Sequence, residues 1–119
     1  MHERLPGVKL KQSRDRGLDT ESDPEEDKMI IFIGKDRPDG EKIRTGNRDK
    51  HLIMLKELKK NGLIYFAGPF ISDQGKMSGS LIIFDTEDMG LVREIMSNDP
   101  YVRSGLFAAR EISRLDKVI

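Results

Sequence analysis

Three short runs, MIIFI at 29–33, LIYFA at 63–67 and LIIF at 81–84, are apolar without interruption and rich in β-branched and aromatic residues. Runs of this length and composition read as β-strands. A strand with one wet face alternates apolar and polar residues, whereas an unbroken run implies burial on both faces. The chain is therefore expected to build a sheet that is covered on both sides.

The segments between the runs are helical. After the turn-rich DRPDG, the stretch IRTGNRDKHLIMLKELKKNG at 43–62 reads as a helix capped by Thr45 or Asn47. Lys59 and Lys60 suit its C-terminal end, and Gly62 stops it. LIYFAGPFI is the second strand, broken near its end by Gly68-Pro69, and after a polar loop SLIIFDT is the third. TEDMGLVREIMSN follows as a second helix, with Asp85 or Thr86 as its cap and acids in its first turn. Met89, Val92, Ile95 and Met96 form its apolar stripe, and Pro100 ends it. The last segment, GLFAAREISRLDKVI, has residues that suit a helix or a strand. The preceding order, strand–helix–strand–strand–helix, asks for a strand. That closes a ferredoxin-like βαββαβ α+β fold with a four-stranded antiparallel sheet. Two helices cover one face of such a sheet. A second copy of the chain is the simplest cover for the other, so a homodimer packed through its sheet faces is expected.

Residues 1–28 differ from the rest. Their apolar residues are few, Pro and Gly interrupt them, and they close on the acidic run DPEED. Such a segment reads as a flexible N-terminal extension, with residues 29–119 as the single folded domain. It has no apolar core of a signal peptide, and no run in the chain approaches the roughly 20 apolar residues that span a bilayer. Lys+Arg and Asp+Glu both number 21, so no net field favours nucleic acid or an anionic membrane, and the basic KLKQSRDR is offset by the acids after it. There are no cysteines, which excludes disulfides, thiolate catalysis and cysteine-ligated metals and makes a reducing, cytoplasmic location the expectation. With two histidines, one at position 2, no metal site is expected.

The other histidine marks a boundary. At spacings of three and four, Arg44, Arg48, His51, Leu55, Leu58 and Gly62 share one face of the first helix. That face is polar toward its N-terminus and apolar toward its C-terminus, and His51 stands at the changeover, where the mouth of a pocket would fall. Composition and spacing alone favour the plainer reading, a hydrogen-bonded core histidine and two arginines of a solvated first turn. Asp99, before Pro100, is ordinary helix-ending chemistry, or else a carboxylate carried to the end of the sheet near His51. There it would fix the imidazole tautomer and complete a general acid/base.

Arg48-x-x-His51-Leu52, Gly62 at the helix stop, Ala67-Gly68-Pro69 in the second strand, Gly79 at the third, and Asp99-Pro100-Tyr101 with Gly105 beyond occur in the order that marks one family. From Met29 onward the chain resembles the YCII-related family. The resemblance implies a ferredoxin-like subunit pairing into a dimeric α+β barrel, with a His–Asp pair, here His51 and Asp99, lining a pocket. It also implies action without metal or organic cofactor on small ring compounds, as in the dehydrochlorination of a chlorinated hydroxyquinol. Related barrels host lactone isomerases and cofactor-free oxygenases. On this reading the protein is a small enzyme for elimination or isomerisation. Arg48 holds an anionic or phenolate oxygen, Tyr101 donates a hydrogen bond or stacks, and a turn at Gly68-Pro69 brings backbone to the ligand. The alternative is a non-catalytic dimeric module that binds a small ligand or a partner, with His51–Asp99 as a strut.

Overall fold

A computed structural model describes residues 28–119; the expected extension lies outside them apart from Lys28, which already belongs to the first strand. Strand β1 (Lys28–Asp36) leads into helix α1 (Glu41–Lys60), and strands β2 (Ile64–Ile71) and β3 (Met77–Phe84) follow. Helix α2 (Met89–Ser97), a short helix α3 (Pro100–Arg103) and strand β4 (Phe107–Asp116) complete the chain. The sheet order is β2-β3-β1-β4, antiparallel throughout, which is the ferredoxin-like arrangement expected. The ambiguous last segment is a strand.

Burial alternates along the central strands. Ile30 and Phe32 of β1 lie opposite Phe84 and Ile82 of β3, all buried under the helices with Leu58 of α1 and Val92 and Met96 of α2. Each such side chain contributes about 1.5–3 kcal/mol on leaving water. The residues between them, Ile31 and Ile33 on β1 with Leu81 and Ile83 on β3, point to the opposite face and are half-buried. This is why the runs are continuous. One register serves the core, and the other forms an apolar face that no described helix covers.

Several local expectations are corrected. α1 begins at Glu41 with Gly40 before it and no side-chain cap, so Thr45 and Asn47 lie inside the helix and bond back to the carbonyls of Glu41 and Ile43. Asp88, not Asp85 or Thr86, caps α2 by accepting from the Leu91 amide, and the acids precede that helix instead of filling its first turn. Gly68-Pro69 is not a turn. It continues β2, an edge strand where a missing N–H is tolerated. Pro100 does end α2, but it also starts α3, where proline suits the first turn.

Two close approaches bring the ends of the helices together. The Arg37 amide donates to the Leu106 carbonyl at 2.9 Å, which ties the entry of α1 to the exit of α3. Gly105, with φ of 77°, makes the reversal into β4 that a side chain would strain. Gly34 leaves room for the Phe107 ring, which would lie 2.7 Å from a β-carbon there.

Candidate active site

The N-terminal half of α1 turns polar side chains inward. Arg44 and His51, seven residues apart, stand two turns apart on one face, about 10.5 Å along the axis. The ring of Tyr101 from α3 meets both. It stacks on the His51 imidazole with centroids 4.0 Å apart and planes at 19°, and the Arg44 Cζ stands 4.7 Å from its centroid. All three residues are buried.

Each charged group here has a fixed counterpart. His51 Nδ1 and Asp99 Oδ1 are 2.6 Å apart, and Asp99 is fully buried. Its other oxygen, Oδ2, accepts from the Val102 amide at 3.2 Å, so the same carboxylate caps α3. Because an ionised carboxylate only accepts, it holds the proton on Nδ1 and leaves Nε2 as the basic nitrogen. Arg44 donates from Nε and Nη2 to the two oxygens of Asp36, at 2.7 and 2.8 Å, and from Nη2 to Ser80 Oγ at 3.0 Å. Burial works to lower the pKa of Arg44, but the Asp36 carboxylate outweighs it and holds the guanidinium above its ordinary value. Burial also pushes the Tyr101 phenol up, against the pull of the Arg44 and Arg48 charges.

A cavity of about 110 Å³ opens in front of this cluster. Arg44, Arg48, His51, Ser80 and Tyr101 supply its polar lining, and Leu52, Leu55, Ala67, Gly68 and Pro69 are among its apolar and backbone walls. It adjoins a larger recess of about 490 Å³ over the β1–α1 junction, with Arg44, Arg48 and Met77 lining both. The structure thus brings all six sequence-predicted positions to one place: His51, Arg48, Gly68, Pro69 and Tyr101 on the cavity wall and Asp99 directly behind His51. Arg48 is exposed at its rim. Gly68 and Pro69 contribute through an extended strand, not a turn, and the Tyr101 face turned to His51 is already occupied by the imidazole. Among the described residues no group of three or more His, Asp or Glu side chains could hold a metal ion, and no helix is long and apolar enough to cross a membrane.

Sequence reasoning missed the Asp36–Arg44–Ser80 network. One signal was available: Ser80 shares its side of β3 with Ile82 and Phe84, a lone hydroxyl on a core register. For Asp36 there was none, since only the fold brings it across the intervening loop to Arg44.

Comparison with known proteins agrees with the fold. A family model, the YCII-related domain, matches residues 29–116. An uncharacterised protein of Haemophilus influenzae is 28% identical over 94 residues, covering 74% of this chain and 96% of its own length. Among solved structures, 5-chloro-2-hydroxyhydroquinone dehydrochlorinase (TftG) from Burkholderia phenoliruptrix AC1100, in complex with 2,5-dihydroxybenzoquinone, is similar with a TM-score of 0.66 at 32% identity, covering 74% of this chain and 93% of that one. PA3566 from Pseudomonas aeruginosa shares the fold alone, with a TM-score of 0.52 at 8% identity over 82% of this chain and 100% of that one.

Proposed function

The chain belongs to the YCII-related domain family, and on that premise we propose that it is a small-molecule enzyme in which His51 and Asp99 act as a general acid/base pair. The observation that carries this reading is the 2.6 Å contact between a fully buried carboxylate and Nδ1 of a histidine on a cavity wall. Nε2 takes a proton from a carbon or hydroxyl of a small polar or aromatic compound. The electron pair left behind either expels a leaving group, which completes an elimination, or moves onto a substrate oxygen, and return of the proton from Nε2 to another carbon then completes an isomerisation. Arg48, exposed at the rim, steers and holds an anionic ligand. Proton transfer of this kind contributes about 10²–10⁴-fold in rate, enough for an already activated substrate. The similarity to a dehydrochlorinase crystallised with a hydroxylated quinone supports ring compounds of that chemistry as ligands.

We further propose that the chain pairs through the helix-free sheet face, where Ile31, Ile33, Leu81 and Ile83 adjoin Phe66, itself 52% exposed on edge strand β2. Light scattering is expected to give a dimer at micromolar concentration, and a monomer would refute that pairing.

The enzyme reading is tested by following the His51 ring resonances by NMR while adding small phenols and lactones. Saturable shifts at His51, weakened in Asp99→Asn, are expected. A His51 that ignores every ligand, with only stability lost on mutation, would make the pair a strut and sink the reading.

A further inference from the structure

The Arg44–Ser80 contact has a direction, and the direction leaves a donor over. Arg44 Nη2 donates to Ser80 Oγ, and a guanidinium cannot accept. The hydroxyl proton of Ser80 is therefore not spent on Arg44, and no acceptor for it lies among the described residues. Ser80 is only 4% exposed, and the surface it does show lines the small cavity. A buried hydroxyl whose oxygen is held by a cation is polarised to donate, and a low-dielectric site strengthens the effect.

The composition of the cavity wall says what it would donate to. The titratable groups lining it are Arg44, Arg48, His51 and Tyr101, and no carboxylate lines it. The two nearby acids are turned away, Asp36 onto Arg44 and Asp99 onto His51 and the Val102 amide. Arg44 is itself only 6% exposed, and its two bonds to Asp36 hold the guanidinium in place with Nη2 on Ser80 Oγ.

We infer that Ser80, backed by the buried Arg44–Asp36 pair, is an oxyanion-binding donor that receives the phenolate or enolate oxygen of the substrate inside the cavity. The inference rests on the acid/base reading of His51 and deepens it. As Nε2 removes a proton from the substrate, the electron pair released comes to rest on an oxygen that Ser80 Oγ–H meets. Preorganised donors of this kind favour the charge only as it develops, so they lower the barrier more than they tighten binding. Ser80 thereby selects for ring compounds whose oxygen ionises or enolises.

The probe is 4-nitrophenol, whose ionised form absorbs in the visible, titrated against pH in the presence of the full-length protein while its contact with His51 is followed by NMR. Bound to the natural protein, its pKa is expected to fall by about one unit, a tenfold preference for phenolate. Most of that fall is lost in Ser80→Ala and restored in Ser80→Thr, which keeps a hydroxyl. Matching circular dichroism and unfolding of the variants separates this from misfolding. If the probe shifts His51 and its pKa falls equally with Ser80→Ala, the inference is overturned while the acid/base reading stands. A fall abolished by Arg48→Gln but kept in Ser80→Ala places the oxygen at the rim and likewise overturns it. If the probe leaves His51 unmoved, both fall together.

Discussion

Substituting Asp99 separates two jobs that one carboxylate performs. Asn replaces Asp as a helix cap at little cost, so Asp99→Asn keeps the bond from the Val102 amide and loses the charge-assisted contact to His51. That contact is short and fully buried, and its loss is worth about 1.5–3 kcal/mol. Asp99→Ala loses the cap as well, at about 1 kcal/mol more, and leaves an imidazole N–H without an acceptor. For a domain of this size a 2 kcal/mol loss lowers the melting temperature by roughly 10 °C. Urea and thermal unfolding at one fixed protein concentration should rank the natural protein above Asp99→Asn and that above Asp99→Ala. The functional cost follows a different order. With the Asn oxygen kept on the Val102 amide, its NH2 faces Nδ1 and can only donate to it, and Ala offers Nδ1 nothing, so either substitution removes the fixed base at Nε2. Activity on any substrate found should fall about 10²–10⁴-fold in both variants. Nitrogen-15 shifts of the His51 ring report the tautomer directly. Equal stability of the two variants would show that the cap contributes nothing. An Asp99→Asn protein that keeps Nδ1 protonated and responds fully to ligand would refute the reasoning about the pair.

Three further outcomes are expected. Arg44→Met strands the Asp36 carboxylate, 9% exposed, without its partner and should cost about 3–5 kcal/mol in chemical unfolding; the double variant Arg44→Met/Asp36→Leu should recover much of that loss. Because burial raises the Tyr101 phenol above its ordinary value, the native state binds the proton more tightly than the unfolded chain; this contribution is intact below pH 10 and is lost as pH rises through the higher native value, so Tyr101→Phe should flatten the alkaline limb of the stability profile. Gly79→Ala would place a β-carbon 2.5 Å from the Gly34 carbonyl oxygen and should destabilise by about 1–3 kcal/mol, whereas Gly68→Ala meets nothing within 4 Å of the same chain and should leave a monomer's unfolding midpoint nearly unchanged.

The order of elements was legible because hydrophobic period and glycine stops are local signals, and they placed both long helices and the first three strands; the last segment suits helix or strand by period, and only the order of the elements before it made it β4. Helix starts were less legible. Thr45 and Asn47 have the side chains of caps, but in the structure they bond to carbonyls one turn back, while the true boundary at Gly40 is set by the tie from Arg37 to Leu106, a contact between distant segments. Short α3 was hidden because Asn-Asp-Pro ends one helix and begins another with the same residues. At the site, helical spacing placed Arg44, Arg48 and His51 on one face, yet it could not tell the buried arginine from the exposed one. That distinction is made by Asp36 and Ser80, whose approach to Arg44 depends on the register of β3 against β1.

Arg44, His51, Ser80, Asp99 and Tyr101 all come from one chain and gather on the helix-covered side of the sheet, while the uncovered apolar residues lie on the other. On the proposed reading, pairing uses the uncovered register of the sheet and the reacting groups stand on the helix-covered one, with Leu81 reaching the cavity edge between them. Turnover per chain should follow a simple hyperbola in substrate, indifferent to whether a neighbour is occupied, and loss of pairing should be felt as a shorter working life at elevated temperature before it is felt as a slower reaction.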